Sequence, residues 1–171
     1  KKEEWVKLTR KQRRALKSQP DTPQGRRDAV IMALLLDHGL RVGELALLEV
    51  TNFDLAAGEF RFYRPKVKKE QIHKLETDAK RAIDRWFDTD APAMGPLLRG
   101  SQKGGKLTGA GMSERAITER VRDLGASIGV HGLSAHDCRH SWATQAAKKM
   151  RDPIALKEAG GWNSLAMPAH Y

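Results

Sequence analysis

The chain is poor in cysteine, in aromatic residues and in acid. Of 171 residues, one is cysteine, Cys138, so no internal disulfide can form, and the usage suits a reducing compartment, the cytoplasm. Two tyrosines, Tyr63 and Tyr171, are present. No stretch reaches the roughly 18 consecutive apolar residues that a membrane span needs, and no signal-peptide pattern opens the sequence. Acid is outnumbered by base, 21 against 31, for a formal charge of +10. That surplus attracts polyanions, nucleic acid first among them, and argues against a basic or membrane partner. The length fits one domain with a core of its own, 1–171. The sequence starts without Met inside a polar helical pattern, and therefore reads as part of a longer protein.

Apolar spacing and capping residues predict a mainly α-helical, mixed α+β domain. Thr9 starts a basic helix over 9–17, and a Pro-containing break follows at 18–23. Thr22 and Pro23 then cap and open a helix that carries Val30, Ile31, Leu34 and Leu35 and stops at Gly39. A short helix follows at 42–48. From Glu59 the period changes to two. Phe60, Phe62, Ile72 and Leu75 flank the charged stretch 64–70, which predicts an antiparallel β-hairpin, or a three-stranded sheet, on one edge, with its lysines in solvent. Thr77 is read as the cap of a helix bearing Ala79, Ile83, Trp86 and Phe87. The stretch 92–105 reads as a loop with a short strand at 97–99, and another helix is expected over 113–128. Ser134-Ala135-His136-Asp137 matches a capping box, so a helix starts at Ala135 with His136 and Arg139 on its first turn. Ala143, Ala146 and Ala147 let it pack closely. Asp152-Pro153 opens a last helix, ended by Gly160-Gly161.

The first turn of a helix favours a phosphate, because unpaired N–H groups and the helix dipole both point there, and His136 and Arg139 could donate beside them. Arg41 has Glu44 three residues on, a spacing that lets the carboxylate orient the guanidinium. His131, His136, His140 and Cys138 could suggest a transition metal, but no zinc-type cysteine pair exists and nearby carboxylates are few. Cys138, beside Asp137, reads as core rather than nucleophile. Trp5, Trp86 and Trp142 read as core, and Tyr63 as a packing residue. The stretch 100–106, with Lys103 and Lys106 among glycines, is either a flexible loop or a backbone-tracking one.

Several boxes, taken in order, resemble one family. Gly39-Leu40-Arg41-Val42-Gly43-Glu44-Leu45 resembles the first arginine box of the tyrosine recombinases, or phage-type integrases. Leu133-Ser134-Ala135-His136-Asp137-Cys138-Arg139-His140-Ser141 resembles their His-x-x-Arg box. Lys66-Val67-Lys68-Lys69-Glu70 is similar to the hairpin that carries a lysine, with Lys66 chosen by its pattern and Lys68 and Lys69 as alternates. Leu156-Lys157-Glu158-Ala159-Gly160-Gly161-Trp162 is similar to the Leu-Gly-His segment, with Trp162 where the family most often has His, and Tyr171 stands nine residues later at the nucleophile spacing.

The resemblance implies a recombinase-like catalytic domain that cleaves and rejoins double-stranded DNA through a 3′-phosphotyrosyl link, without metal, ATP or other cofactor. Tyr171 is the implied nucleophile. Arg41, Arg139, His136 and Trp162 would form the cage for the phosphate, Lys66 the proton donor and Glu44 a support for Arg41, with His136 the best-placed acceptor of the tyrosine proton. A type IB topoisomerase and an idle DNA-binding module of the same fold stay open as rivals. The resemblance also implies an N-terminal core-binding domain and a C-terminal tail, both expected to be absent here, and a homotetramer on DNA for the full-length protein, with a monomer for the chain alone. Tyr171 is expected at a frayed end, with its position poorly fixed relative to the cage.

Overall fold

A computed structural model describes residues 4–171. Seven helices and two small antiparallel sheets are found among them. Helix α1, Arg10–Lys17, begins at Thr9, whose side chain accepts from the Gln12 backbone N–H while Gln12 returns a bond to Thr9. Helix α2, Pro23–His38, is capped by Thr22 and ended by Gly39 in the left-handed region, as the Pro and Gly flanks predict. Its Val30, Ile31, Met32, Leu34 and Leu35 have no exposed surface, so it is the axis of the core. Truncating any one of these large side chains to Ala would cost about 2–5 kcal/mol.

Helix α3, Val42–Leu47, follows. Strands β1, Phe53–Asp54, β2, Glu59–Arg64, and β3, Lys69–Lys74, form a sheet in the order β1-β2-β3. Phe60 pairs with His73 and Phe62 with Gln71. The inward face of β2 is therefore Phe60, Phe62 and Arg64, all buried. Tyr63 and Ile72 point the other way and are each 52% exposed, which corrects the reading of Tyr63 as a packing residue. Period-two patterning was right for β2. It failed for β3 because the inward positions are polar, Gln71 and His73, partners of Arg64 and His38.

Helix α4, Thr77–Thr89, begins after Glu76, so Thr77 is the first helical residue and not the cap. The Glu76 N–H finds its partner in His38 Nε2 (3.1 Å). Strand β4 is Arg99–Ser101 rather than 97–99, and it pairs with β5, Leu107–Gly111, which the sequence pattern missed. Leu97 and Leu98 are buried, with the Leu97 carbonyl accepting from the Trp86 indole (3.0 Å). The glycine-rich sequence of β5 carries no hydrophobic period to read. Helix α5, Glu114–Ser127, is capped by Ser113.

Helix α6, Ala135–Met150, has the predicted capping box: Ser134 Oγ accepts from the Asp137 N–H, and Asp137 Oδ2 accepts from the Ser134 N–H (2.9 Å). Ala143 is wholly buried, and α6 packs against α2. Cys138 is buried too. Helix α7, Pro153–Gly160, extends one residue past expectation, and Gly161 takes the left-handed cap. A 3-10 turn, Pro168–His170, delivers Tyr171. None of the helices among the described residues is long and apolar enough to cross a membrane.

Candidate active site

The sequence between α2 and α3 turns on Gly39, at φ 64°. A Cβ there would sit 2.2 Å from the Trp142 ring, so only glycine fits. The turn sets Arg41 just before α3. Glu44 Oε1 accepts from the Arg41 backbone N–H (2.8 Å) and Oε2 from its guanidinium (3.3 Å), the contact anticipated from the three-residue spacing. Helix α6 carries His136 and Arg139 on its first turns, and the β2–β3 hairpin brings Lys66. Arg41, Glu44, Lys66, His136 and Arg139 line one open cleft of about 390 Å³, with Glu114 also on its wall. Lys68 is at φ 51° in the hairpin turn and Lys69 lines a separate groove, so Lys66 is the one of the three lysines on this cleft.

Arg139 is almost fully buried, and its guanidinium donates to the backbone carbonyls of Gly39 and Gly160. Among the described residues, its three further N–H groups have no hydrogen-bond partner. Trp162 lies outside the group that lines the cleft. Its ring stacks on the Arg139 guanidinium, 4.6 Å from ring centroid to Cζ, and presses against Gly160, where a Cβ would meet it at 2.1 Å. The structure thus shows Trp162 as a platform for Arg139.

Tyr171 is half-buried, its ring 6.0 Å from Trp162 and its hydroxyl hydrogen-bonded to His140 Nδ1. The expectation of a frayed end gives way to a seated side chain, because Trp162, His140 and the cluster around Trp142 and Leu156 supply it with a surface. It stands beside the cleft rather than on its wall.

Three residues escaped the sequence reading. Arg64 is completely buried and joins the hairpin to everything else: it donates to Glu44, to Gln71, and to the carbonyls of Ala159 and Gly160. The signal is present in the sequence, a charged residue in phase with Phe60 and Phe62, but the charged stretch 64–70 disguises it as part of a solvated turn. His140 follows His136 by one turn and shares its face. Trp5, read as core, is 39% exposed and covers these two imidazoles, at 3.7 Å from His140 and 4.7 Å from His136 between ring centroids. The adjacent Val6 N–H donates to Asp137 Oδ1 (2.9 Å), which holds this strap on the start of α6. No metal-holding group of three His, Cys, Asp or Glu side chains, whether from His131, His136, His140 and Cys138 or others, occurs among the described residues.

Electrostatics give the site its sign. Burial, then the charges of Arg41 and Arg64, pull the pKa of Arg139 down to about 9. Burial lowers Arg64 to about 10, Glu44 working against the shift and Arg41 with it. His136 is lowered by burial and by Arg139, Arg41 and Lys66. Cations that depress one another's protonation are held together at a cost, and an anion in the cleft relieves it.

The fold and the site define a mainly helical class of protein with a cationic cleft beside a seated tyrosine hydroxyl. Comparison with known proteins makes the class specific: residues 7–171 match the Phage integrase family. The chain belongs to that family, the tyrosine recombinases. It is 33% identical to tyrosine recombinase XerC of Azotobacter vinelandii over 150 residues, covering 85% of this chain and 48% of that protein. Tyrosine recombinase XerC of Shewanella amazonensis is 33% identical over 158 residues, 89% of this chain and 50% of the relative. The chain thus spans about half the length of these relatives. Among solved structures, XerA recombinase superposes with a TM-score of 0.78 at 21% identity, covering 99% of this chain and 59% of that one. XerH site-specific recombinase bound to its difH substrate gives 0.72 at 20%, covering 96% and 49%. These structures establish the recombinase fold.

Proposed function

We propose that this chain is the catalytic domain of a site-specific DNA recombinase or integrase, which cleaves and rejoins DNA strands through a 3′-phosphotyrosyl intermediate on Tyr171. The observation that carries the reading is the cleft in which Arg41, Lys66, His136 and Arg139 converge, around the buried Glu44 and beside the Tyr171 hydroxyl. Four donor-bearing side chains of net positive charge suit a phosphodiester, and XerH, a structural neighbour, was solved on its difH substrate.

In this reading the scissile phosphate enters the cleft and takes the place of a counter-ion. Arg41 and Arg139 bind its non-bridging oxygens with planar, charge-assisted donors, which Lys could not reproduce. Glu44 fixes Arg41. The Gly39 and Gly160 carbonyls and the Trp162 ring fix Arg139, so the donors are oriented before charge develops on the phosphorane. Tyr171 attacks phosphorus, and Lys66 gives a proton to the departing 5′-oxygen. The phosphotyrosyl link keeps the bond energy, so rejoining needs no ATP. Preceding core-binding and following C-terminal segments, a homotetramer on DNA and the bacterial or mobile-element cytoplasm are parts of the same proposal.

The deciding experiment uses nicked suicide duplexes that trap covalent complexes. Wild-type chain is expected to form them and Tyr171→Phe none; a Tyr171→Phe variant that still links to DNA would refute the mechanism.

A further inference from the structure

Given the recombinase reading above, we propose that His140 is the catalytic residue that binds the Tyr171 phenol and accepts its proton, leaving His136 to serve the phosphate. The sequence alone pointed to His136 for the proton, yet the structure divides the two imidazoles between two tasks. His136 lines the cleft with Arg41, Lys66 and Arg139. His140, one turn further along α6, is hydrogen-bonded through Nδ1 to the Tyr171 hydroxyl, with Nε2 3.5 Å from the same oxygen. Among the described residues, His140 is the hydrogen-bond partner of that hydroxyl.

The surroundings of His140 suit an acceptor. The Trp5 ring covers one side, the His136 ring stands 5.2 Å away edge-on, and the Tyr171 ring is 5.4 Å away. Titratable and charged groups facing it are His136, Asp137 and Arg139 from its own helix and His170 and Tyr171 from the C-terminal turn. Burial, then His136 and His170, hold its pKa at about 4, Asp137 opposing them, so at neutral pH the ring is uncharged and one nitrogen carries a lone pair. With the phenol donating, Nδ1 is the acceptor and the ring proton sits on Nε2.

Burial raises the pKa of the Tyr171 phenol, so the proton stays on oxygen until the reaction begins. As the bond from Tyr171 Oη to phosphorus forms, the phenol becomes strongly acidic and its proton passes to His140 Nδ1. The bond from phosphorus to the 5′-oxygen breaks, and that oxygen takes a proton from Lys66. In rejoining, the 5′-hydroxyl returns its proton to Lys66 as it attacks phosphorus, and the His140 imidazolium returns its own to the departing phenolate. The phosphate's negative charge stabilises the imidazolium in both directions.

Two measurements test this. In the first, single-turnover covalent-complex formation on suicide duplexes is followed against pH for wild type, His140→Gln and His136→Gln, with Tyr171→Phe as blank. A second set of duplexes carries sulfur in place of the 5′-bridging oxygen, a leaving group that needs no proton. His140→Gln is expected to be about 10²–10³-fold slower on both substrates and to lose the fall in rate at acid pH, whereas His136→Gln keeps that fall. Lys66→Ala should be rescued by sulfur, and His140→Gln should not. The proposal is overturned if His140→Gln cleaves within threefold of wild type, if it keeps the acid limb, or if the limb disappears with His136→Gln instead. In the second, nitrogen-15 NMR of wild-type protein reads the His140 tautomer without any substitution, so a misfolded variant leaves the question answerable. A proton on Nε2 is expected at neutral pH, and one on Nδ1 overturns the assignment. If wild type itself forms no covalent complex while the tautomer is as expected, it is the recombinase reading that fails.

Discussion

Two places in this domain bury arginine, and they differ in how the charge is answered. In the first turns of α2, Asp28 is shared by Arg27 and Arg120: its Oδ1 accepts from Arg27 (3.0 Å) and its Oδ2 from Arg120 (2.7 Å). Arg27 adds a bond to the Arg99 carbonyl, so α2, α4's following strand and α5 are pinned by one carboxylate that uses both its oxygens. At the cleft, Arg41 and Arg64 share Glu44, and among the described residues Arg139 meets carbonyls and a tryptophan face rather than a carboxylate. The first cluster is a finished structural joint. The second leaves Arg41, Lys66, His136 and Arg139 along an open cleft, which is where the proposed phosphate would sit.

That contrast can be broken most severely with Asp28→Asn, which strands Arg27 in the interior. A loss of about 3–5 kcal/mol in urea unfolding is expected, and added phosphate or DNA should not restore it. Glu44→Gln also removes a buried partner, but here anions should recover much of the loss, since the cleft becomes more cationic. Equal behaviour of the two variants toward anions would erase the distinction. Next in size, Arg41→Lys should keep DNA binding while single-turnover cleavage falls about 10²–10³-fold, because the fork geometry and not the charge is lost. Full activity would remove Arg41 from the clamp.

A third effect separates acid sensitivity from either cluster. His38 lies under β3, buried, and burial with His73 holds its pKa at about 3. The unfolded chain binds that proton near the ordinary histidine value of about 6.5, so the stabilisation is complete above it and is lost as pH falls toward 3. His38→Gln should flatten the dependence of unfolding free energy on pH across that window. An unchanged slope would show that His38 does not carry it. Smallest in free energy, phosphate at about a hundred times its dissociation constant should stabilise wild type by about 2.7 kcal/mol, and Arg41→Ala by much less. A matching response of the two would place the anion elsewhere.

Much of this was legible in sequence because caps are local. Thr9, Thr22, Ser113, Ser134 and Asp152 each begin a helix with residues that act within three positions, and Gly39 and Gly161 end one. The Arg41–Glu44 contact was equally local. What stayed hidden depends on partners distant in the chain. Arg64 answers Glu44 twenty residues before it and Gly160 ninety-six after it, and nothing near position 64 announces either. Trp5 reads as one more apolar residue until α6 is in place to receive it. His140 carried only its spacing from His136, and its partner is thirty-one residues away. Strand β3 was misjudged for the same reason: its inward Gln71 and His73 are chosen by Arg64 and His38, not by a hydrophobic period.

The Gly160 carbonyl accepts from both Arg64 and Arg139. One oxygen atom therefore fastens the hairpin, the buried clamp and the segment that leads through Trp162 to Tyr171. Should α7 lift at that end, Arg139 loses an anchor and its aromatic platform in the same movement that carries off the tyrosine. The hydrophobic axis on α2 would be untouched. In hydrogen-exchange terms the last dozen amides would open as one unit, well below the global unfolding free energy. The domain could then stay folded while Tyr171 and Arg139 are displaced together by a local equilibrium.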